Sequence, residues 1–307
     1  MIVKPRLGYF RWDSRPLRDV TQCVPARKLG EAMERVSVNG VDLEYASVGS
    51  GDVVVFIHGG GIADAGLPLA AEPALREHYR VIWYRRRGYG GSSRIQGPVS
   101  AAEHAQDCRA LLDALDVRQA HIVSHSFSAL VAVRLAVEAP EVVASLALFE
   151  PTPLVVSDPA PFFESLRPMM DPVREKYLAG DGAAAVDGIF DTLLGPDWRA
   201  EVSRTVPGGP EQADQDAATL FESDLFPGQE WHFGAEEAAK ITQPVLFLTG
   251  TESLPMLVEV GELLHAYLPQ TEDEVMPGAN HLLHLRYPAD AAARLANFLS
   301  HHPIAAV

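Results

Sequence analysis

The chain has 307 residues, 47% of them apolar, which allows one large α/β domain, or a core with an insertion, around a sizeable buried core. A net charge of -16 and a pI near 5.1 argue against nucleic acid as a partner, because such a surface repels phosphates instead of releasing their counterions. Two cysteines, Cys23 and Cys108, give no disulfide framework, which fits a reducing compartment. The opening stretch MIVKPRLGYFRWDSRP lacks the apolar core of about 7 to 15 residues that a secretory signal needs. No apolar run nears the roughly 18 residues of a membrane span, so the expectation is a soluble, cytoplasmic protein with no membrane attachment.

VSVNGVDLEYAS (36–47) alternates apolar and polar residues about Asn39-Gly40, which predicts an antiparallel hairpin. VVVFIHGGG (53–61) is a β-branched run of the kind buried on both faces, leading into a glycine loop and a helical stretch over 70–78. RVIWYR (80–85) repeats the strand signal and ends in Arg87-Gly88-Tyr89-Gly90-Gly91-Ser92. Residues 100–117 carry Ala102, Cys108, Leu111, Leu112 and Leu115 at helical spacing. AHIVSHS (120–126) then predicts a strand, SALVAVRLAVEAP (128–140) a helix, and VASLALFEP (143–151) another buried strand. Strands alternating with helices at this pitch indicate a parallel sheet covered on both faces.

The alternation stops over 152–240, where prolines and glycines mix with Phe162, Phe163, Trp198, Phe221, Phe226 and Trp231. This is read as an inserted helical cap, with 34–151 and 241–307 forming the core and 1–33 an N-terminal extension. PVLFLTG (244–250), a helix over 256–267, a short strand in EDEVMPG (272–278) and a closing helix over 290–300 complete the pattern. The extension carries no mechanism; packing on the cap and packing on another subunit of a homo-oligomer both stay open.

Ser126 lies where a buried strand turns directly into a helix, the setting a nucleophile elbow demands. Neighbours two residues away must be small there, and Ser124 and Ser128, with Ala129 next along, meet that requirement with less margin than glycine. The plain alternative is a serine capping a helix. In His58-Gly59-Gly60-Gly61, glycines let the backbone approach a substrate, so the amides of Gly60 and Phe127 are candidates to bind a developing oxyanion; a simple glycine turn is the competing reading. A serine needs a base, and Gly278-Ala279-Asn280-His281 sets His281 in a loop between the last strand and the closing helix. His284 is a nearby rival. His125 is expected to pack or hydrogen-bond locally, and His301 and His302 to be exposed. No H-E-x-x-H, paired C-x-x-C or G-x-G-x-x-G pattern calls for a metal or a dinucleotide, so no cofactor is expected.

The order HGGG, RRGYGGS, strand, S-H-S-F-S, helix, PVLFLTG and GANH resembles the α/β-hydrolase superfamily over roughly residues 34–302. That resemblance implies an eight-stranded, mostly parallel sheet and a nucleophile, acid, histidine order. One departure concerns the acid. Where most members carry an aspartate after the strand PVLFLTG, this chain has Ser253, which holds no charge to orient a histidine. Either Glu252 substitutes from next door, or the acid follows another strand. A second branch, including some haloalkane dehalogenases and macrolactone hydrolases, places it after the strand that follows the nucleophile helix. Here that residue is Glu150, which closes an otherwise apolar run at the sheet's carboxyl edge.

The resemblance implies a cofactor-independent serine hydrolase acting on an ester or lactone of a small, largely apolar molecule. Dehalogenase chemistry needs a carboxylate nucleophile where this chain has Ser126. A C–C bond hydrolase, a perhydrolase, and a ligand-binding protein with vestigial catalysis remain alternatives. Arg87 is expected to support its loop, with Arg85 and Arg86 solvated or paired; Met169, Met170 and the cap aromatics are expected to be mostly cap core.

Overall fold

Asn39 and Gly40 take φ angles of 48° and 75°, and Val38 faces Val41 across them, so β1 (Glu34–Val38) and β2 (Val41–Val48) are joined by a two-residue turn. The computed structural model describes residues 33–95, 97–152, 160–225 and 233–305. The N-terminal extension up to residue 32, Phe226, Trp231 and the side chains of Phe162 and Phe163 lie outside the described residues.

After the hairpin the chain forms β3 (Asp52–Ile57), β4 (Tyr79–Arg85), β5 (Ala120–His125), β6 (Val143–Phe149), β7 (Val245–Gly250) and β8 (Thr271–Met276). They make one eight-stranded sheet in the order β1-β2-β4-β3-β5-β6-β7-β8. The first two pairings are antiparallel and all the others parallel. Alternate residues of the central strands feed two separate cores. Val55, Ile57, Ile122, Leu146 and Leu148 pack on one face with the helices Ala101–Ala114, Ser128–Glu138 and Pro255–Tyr267. Val54, Phe56, Val123, Ala147 and Phe149 pack on the other with the closing helix Pro288–His301. A sheet buried on both faces is what the continuous β-branched runs require.

The helical stretch expected over 70–78 divides into Leu67–Ala71 and Pro73–Arg76, because Glu72 stands before a proline and takes an extended conformation. Between β6 and β7 lie helices Ala160–Leu178, Gly182–Leu194, Trp198–Thr205 and Gly209–Gln215, then a π-helical turn, Leu220–Leu225. Their apolar sides form a third core around Val186, Phe190, Trp198 and Phe221, with Met169 and Met170 packed against it. Ile62 and Ala65 beyond the glycine loop, and Leu282 and Leu285 beyond His281, join that core. The segment is thereby seated over the carboxyl edge of the sheet. Among the described residues, no helix is long and apolar enough to cross a membrane.

Candidate active site

Five neighbouring parallel strands, β3, β5, β6, β7 and β8, deliver the candidate residues from their carboxyl ends, the edge at which open α/β sheets build sites. Between β5 and the helix Ser128–Glu138, Ser126 takes a φ of 53°, a left-handed conformation that L-residues adopt only where the surroundings impose it. Its amide donates to the Phe149 carbonyl of β6 at 3.0 Å. A Cβ on Gly59 would stand 2.8 Å from His125 Nδ1 and 3.3 Å from Ser126 Cβ, so only glycine lets the HGGG loop come this close.

The two serines that stand where an elbow commonly has glycine differ in effect. Ser128 Oγ lies 2.6 Å from the Ile57 carbonyl of β3 and accepts the His125 amide at 2.9 Å. Ser124 Oγ is buried without a partner among the described residues.

His281 follows β8, and its Nε2 is 3.0 Å from Ser126 Oγ. With the serine hydroxyl donating to Nε2, the ring proton belongs on Nδ1, which faces Glu150 Oε2 at 3.6 Å. Neither Nδ1 nor Oε2 has another hydrogen-bond partner among the described residues, so the two are aimed at each other. Among the described residues His125 makes no side-chain hydrogen bond to Ser126. Its Nε2 donates to the His281 carbonyl at 2.8 Å, and its ring lies between those of His281 and His284, 4.7 Å and 4.4 Å away. His284, the rival base, is fully buried beside Phe56 and Phe149; burial and the neighbouring His281 hold its pKa down to about 3.

Glu150 comes directly after β6, also left-handed, with a φ of 47°. Its amide bonds to the Leu248 carbonyl at 3.0 Å, and its side chain is wholly buried. Oε1 accepts from Thr249 Oγ1 at 2.7 Å, from the Gly250 amide at 2.8 Å and from the Ser253 hydroxyl. Burial pushes this carboxyl up, but His281, Ser253 and Thr249 outweigh it and hold the pKa below the ordinary 4.5. Ser253 occupies the superfamily's usual aspartate place and here donates to the carboxylate arriving from the next strand. Glu252 is exposed; its amide bonds to Ala279, and among the described residues no hydrogen bond or ion pair joins its carboxylate to His281.

On the other side of Ser126 stand Gly60 and Phe127. Neither amide has an acceptor among the described residues. Phe127 is buried at the start of its helix, while Leu220 and Asp224 border Gly60 and Phe190 borders Gly61. The three consecutive arginines part company. Arg85 pairs with Glu44 and Asp64, and Arg87 with Asp107. Arg86 is not solvated: it is wholly buried and bonded to Asp224 of the helical segment, Nη2 to Oδ2 at 2.6 Å. Sequence reasoning missed this pair, along with Tyr89, Thr249 and the use of Ser253; only Ser253, through its place after β7, left a trace. Among the described residues no group of three His, Cys, Asp or Glu side chains suits a metal ion.

A family model described as the alpha/beta hydrolase fold matches residues 52–287. A protein of Azorhizobium caulinodans named as a carbamate hydrolase, RutD, is 36% identical over 115 residues, 34% of this chain and 43% of that protein; the matched stretch is thus under half of that relative's length. The crystal structure of a bacterial membrane phospholipase A superposes with a TM-score of 0.72 at 24% identity, covering 90% of this chain and 88% of that one. The enol-lactonase from Burkholderia xenovorans LB400 does so with a TM-score of 0.66 at 21% identity, covering 87% and 100%. At these identities the structures speak for the fold alone, whereas the family model spans most of the chain: this protein belongs to the α/β-hydrolase fold family.

Proposed function

We propose that this α/β hydrolase is a cofactor-independent serine hydrolase that cleaves an ester or lactone of a small, largely apolar molecule through an acyl-enzyme. The observation that carries the reading is the 3.0 Å contact of Ser126 Oγ with His281 Nε2, backed by Glu150. Ser126 attacks the carbonyl while His281 takes its proton, and the charge that then forms on the imidazole faces the Glu150 carboxylate. The amides of Gly60 and Phe127 receive the oxyanion, His281 returns the proton to the leaving alcohol, and a water activated by the same imidazole releases the acid. A lactone follows the same course with its leaving alcohol still tethered.

The helical segment serves as the cap. Phe190 and Leu220, which border the glycine loop, favour an apolar acyl group over a charged one. The resemblance in fold to an enol-lactonase and a phospholipase fits carboxylic ester chemistry. Reaction with a fluorophosphonate and mapping of the adduct tests the reading, with turnover of short aryl esters and lactones measured alongside. Labelling at Ser126 that vanishes in Ser126→Ala is expected; an unlabelled Ser126 in the folded protein refutes it.

A further inference from the structure

The glycine loop does not by itself fix where the Gly60 amide points. A trans peptide is planar, so the carbonyl of Gly59 and the N–H of Gly60 point in opposite directions. That carbonyl is held on the inner side by Arg86 Nη2 at 3.2 Å and His58 Nδ1 at 2.7 Å. The Gly60 N–H therefore faces away from both. His58 can donate through Nδ1 because its Nε2 accepts the Arg86 amide at 2.9 Å, and burial together with Arg86 keeps the ring neutral. Arg86 Nε also donates to the His58 carbonyl at 3.2 Å, and the Gly61 amide donates to the Tyr89 hydroxyl at 3.2 Å. Successive peptides of the loop are thus held from behind.

What holds the holders is Asp224. Its carboxylate takes the two terminal Arg86 nitrogens, Nη2 at 2.6 Å and Nη1 at 3.2 Å, and the Tyr89 hydroxyl at 2.7 Å, and it comes from the helical segment 138 residues further along. Neighbouring residues of that segment grip the same stretch of core. Asp216 accepts the Gly90 amide at 3.0 Å, Thr219 donates to the Gly88 carbonyl at 2.8 Å, and Ser223 accepts the Val99 amide at 3.1 Å.

We propose that Arg86 is a positioning residue for the Gly60 amide, and that Asp224 makes this positioning depend on the helical segment being seated on the core. The proposal rests on the serine-hydrolase reading, in which that amide binds the oxyanion. Arg86 touches no reacting atom; it acts through the peptide plane.

The test compares wild type with Arg86→Met/Asp224→Leu, which removes both charges together and strands neither, and with Tyr89→Phe, which removes one hydroxyl. The kcat and KM are measured on a p-nitrophenyl ester, with the inhibition constant of a trifluoromethyl ketone, which forms a tetrahedral adduct bearing an oxyanion. Losing an oxyanion donor costs about 100-fold or more in kcat. The double variant is expected to lose about that factor with KM within about threefold, ketone affinity to fall in step with kcat, and Tyr89→Phe to lose roughly tenfold. Wild-type kcat in a folded double variant, or a fall in kcat with ketone affinity unchanged, overturns the proposal; wild-type kcat in Tyr89→Phe overturns it too if the double variant fails to fold. Wild type that a fluorophosphonate does not label at Ser126 overturns the hydrolase reading first and this proposal with it.

Discussion

Ser126 and Glu150 stand at the ends of adjacent strands, each in a left-handed backbone conformation one residue past its strand, whereas the Gly60 amide across the site is set by Arg86 and Asp224, 138 residues apart. The first arrangement is local. Register places His125 opposite Phe149, so the two turns lie at one level and bring serine and carboxylate to either side of His281. The second is a seam of buried polar contacts between the core and the segment inserted between β6 and β7. One side of the site depends on backbone geometry that the sheet enforces; the other depends on the docking of a distant part of the chain.

Substitutions break the two sides differently. The largest effect is expected at the strand ends: His281→Ala is expected to lower kcat by about 10⁵- to 10⁶-fold in ester hydrolysis, with unfolding in urea little changed. At the seam the larger effect falls on stability. Asp224→Ala leaves the Arg86 charge buried and unpaired, and urea unfolding is expected to show a loss of about 3 to 5 kcal/mol. Replacing both partners by apolar residues is expected to restore most of it. A loss that the double replacement does not relieve is the result against a paired charge.

Buried neutral imidazoles occur on both sides, His58 and His104 at the seam, His125 and His284 beneath the strand ends, each with its pKa lowered first of all by burial. For His284 the folded value is about 3 against an ordinary 6.5, so between those values the unfolded chain binds the proton and the folded chain does not. Its contribution is fully present above about pH 6.5 and is lost as the pH falls toward 3. From pH 7 to pH 5 that loss amounts to about 2 kcal/mol for one such histidine. His284→Leu is expected to lose less stability than wild type over the same interval by about that amount in urea titrations; parallel losses count against a neutral His284.

The smallest effects separate the two serines of the elbow. Ser128→Ala, which removes the hydroxyl beside Ile57 and His125, is expected to cost about 1 to 2 kcal/mol. Ser124→Ala, which removes a buried hydroxyl that has no partner among the described residues, is expected to change stability by less than about 1 kcal/mol, toward a gain, in thermal unfolding.

The same contrast governs what could be read from the sequence. The sheet was legible because strands buried on both faces are continuous apolar runs and the helices between them keep a 3.6-residue period. Ser126, Glu150 and His281 stood out because each interrupts or follows such a run, and the structure gathers the three at the sheet's carboxyl edge. Glu252 competed with Glu150 only through its nearness to the vacant aspartate place, and the side chain is exposed there. The three arginines at 85–87 are indistinguishable as text, yet they meet different acids at Glu44 and Asp64, at Asp224 and at Asp107. Asp224 sits where periodicity had broken down, and nothing local marks a partner 138 residues away. The break at Glu72 within the helical stretch expected over 70–78, and the short helix Leu283–Arg286, were missed because the pieces each span about one turn, too short for a period to show.

The claim on which the site stands is that its acid arrives after β6 and not after β7. The direct measurement is the rate of Ser126 acylation by a p-nitrophenyl ester in Glu150→Gln and in Glu252→Gln. Neutralising the residue that orients the histidine lowers the rate by about 10⁴-fold in serine proteases. A loss approaching that size in Glu150→Gln, with Glu252→Gln at the wild-type rate, is the expected result; the reverse pattern would contradict the account.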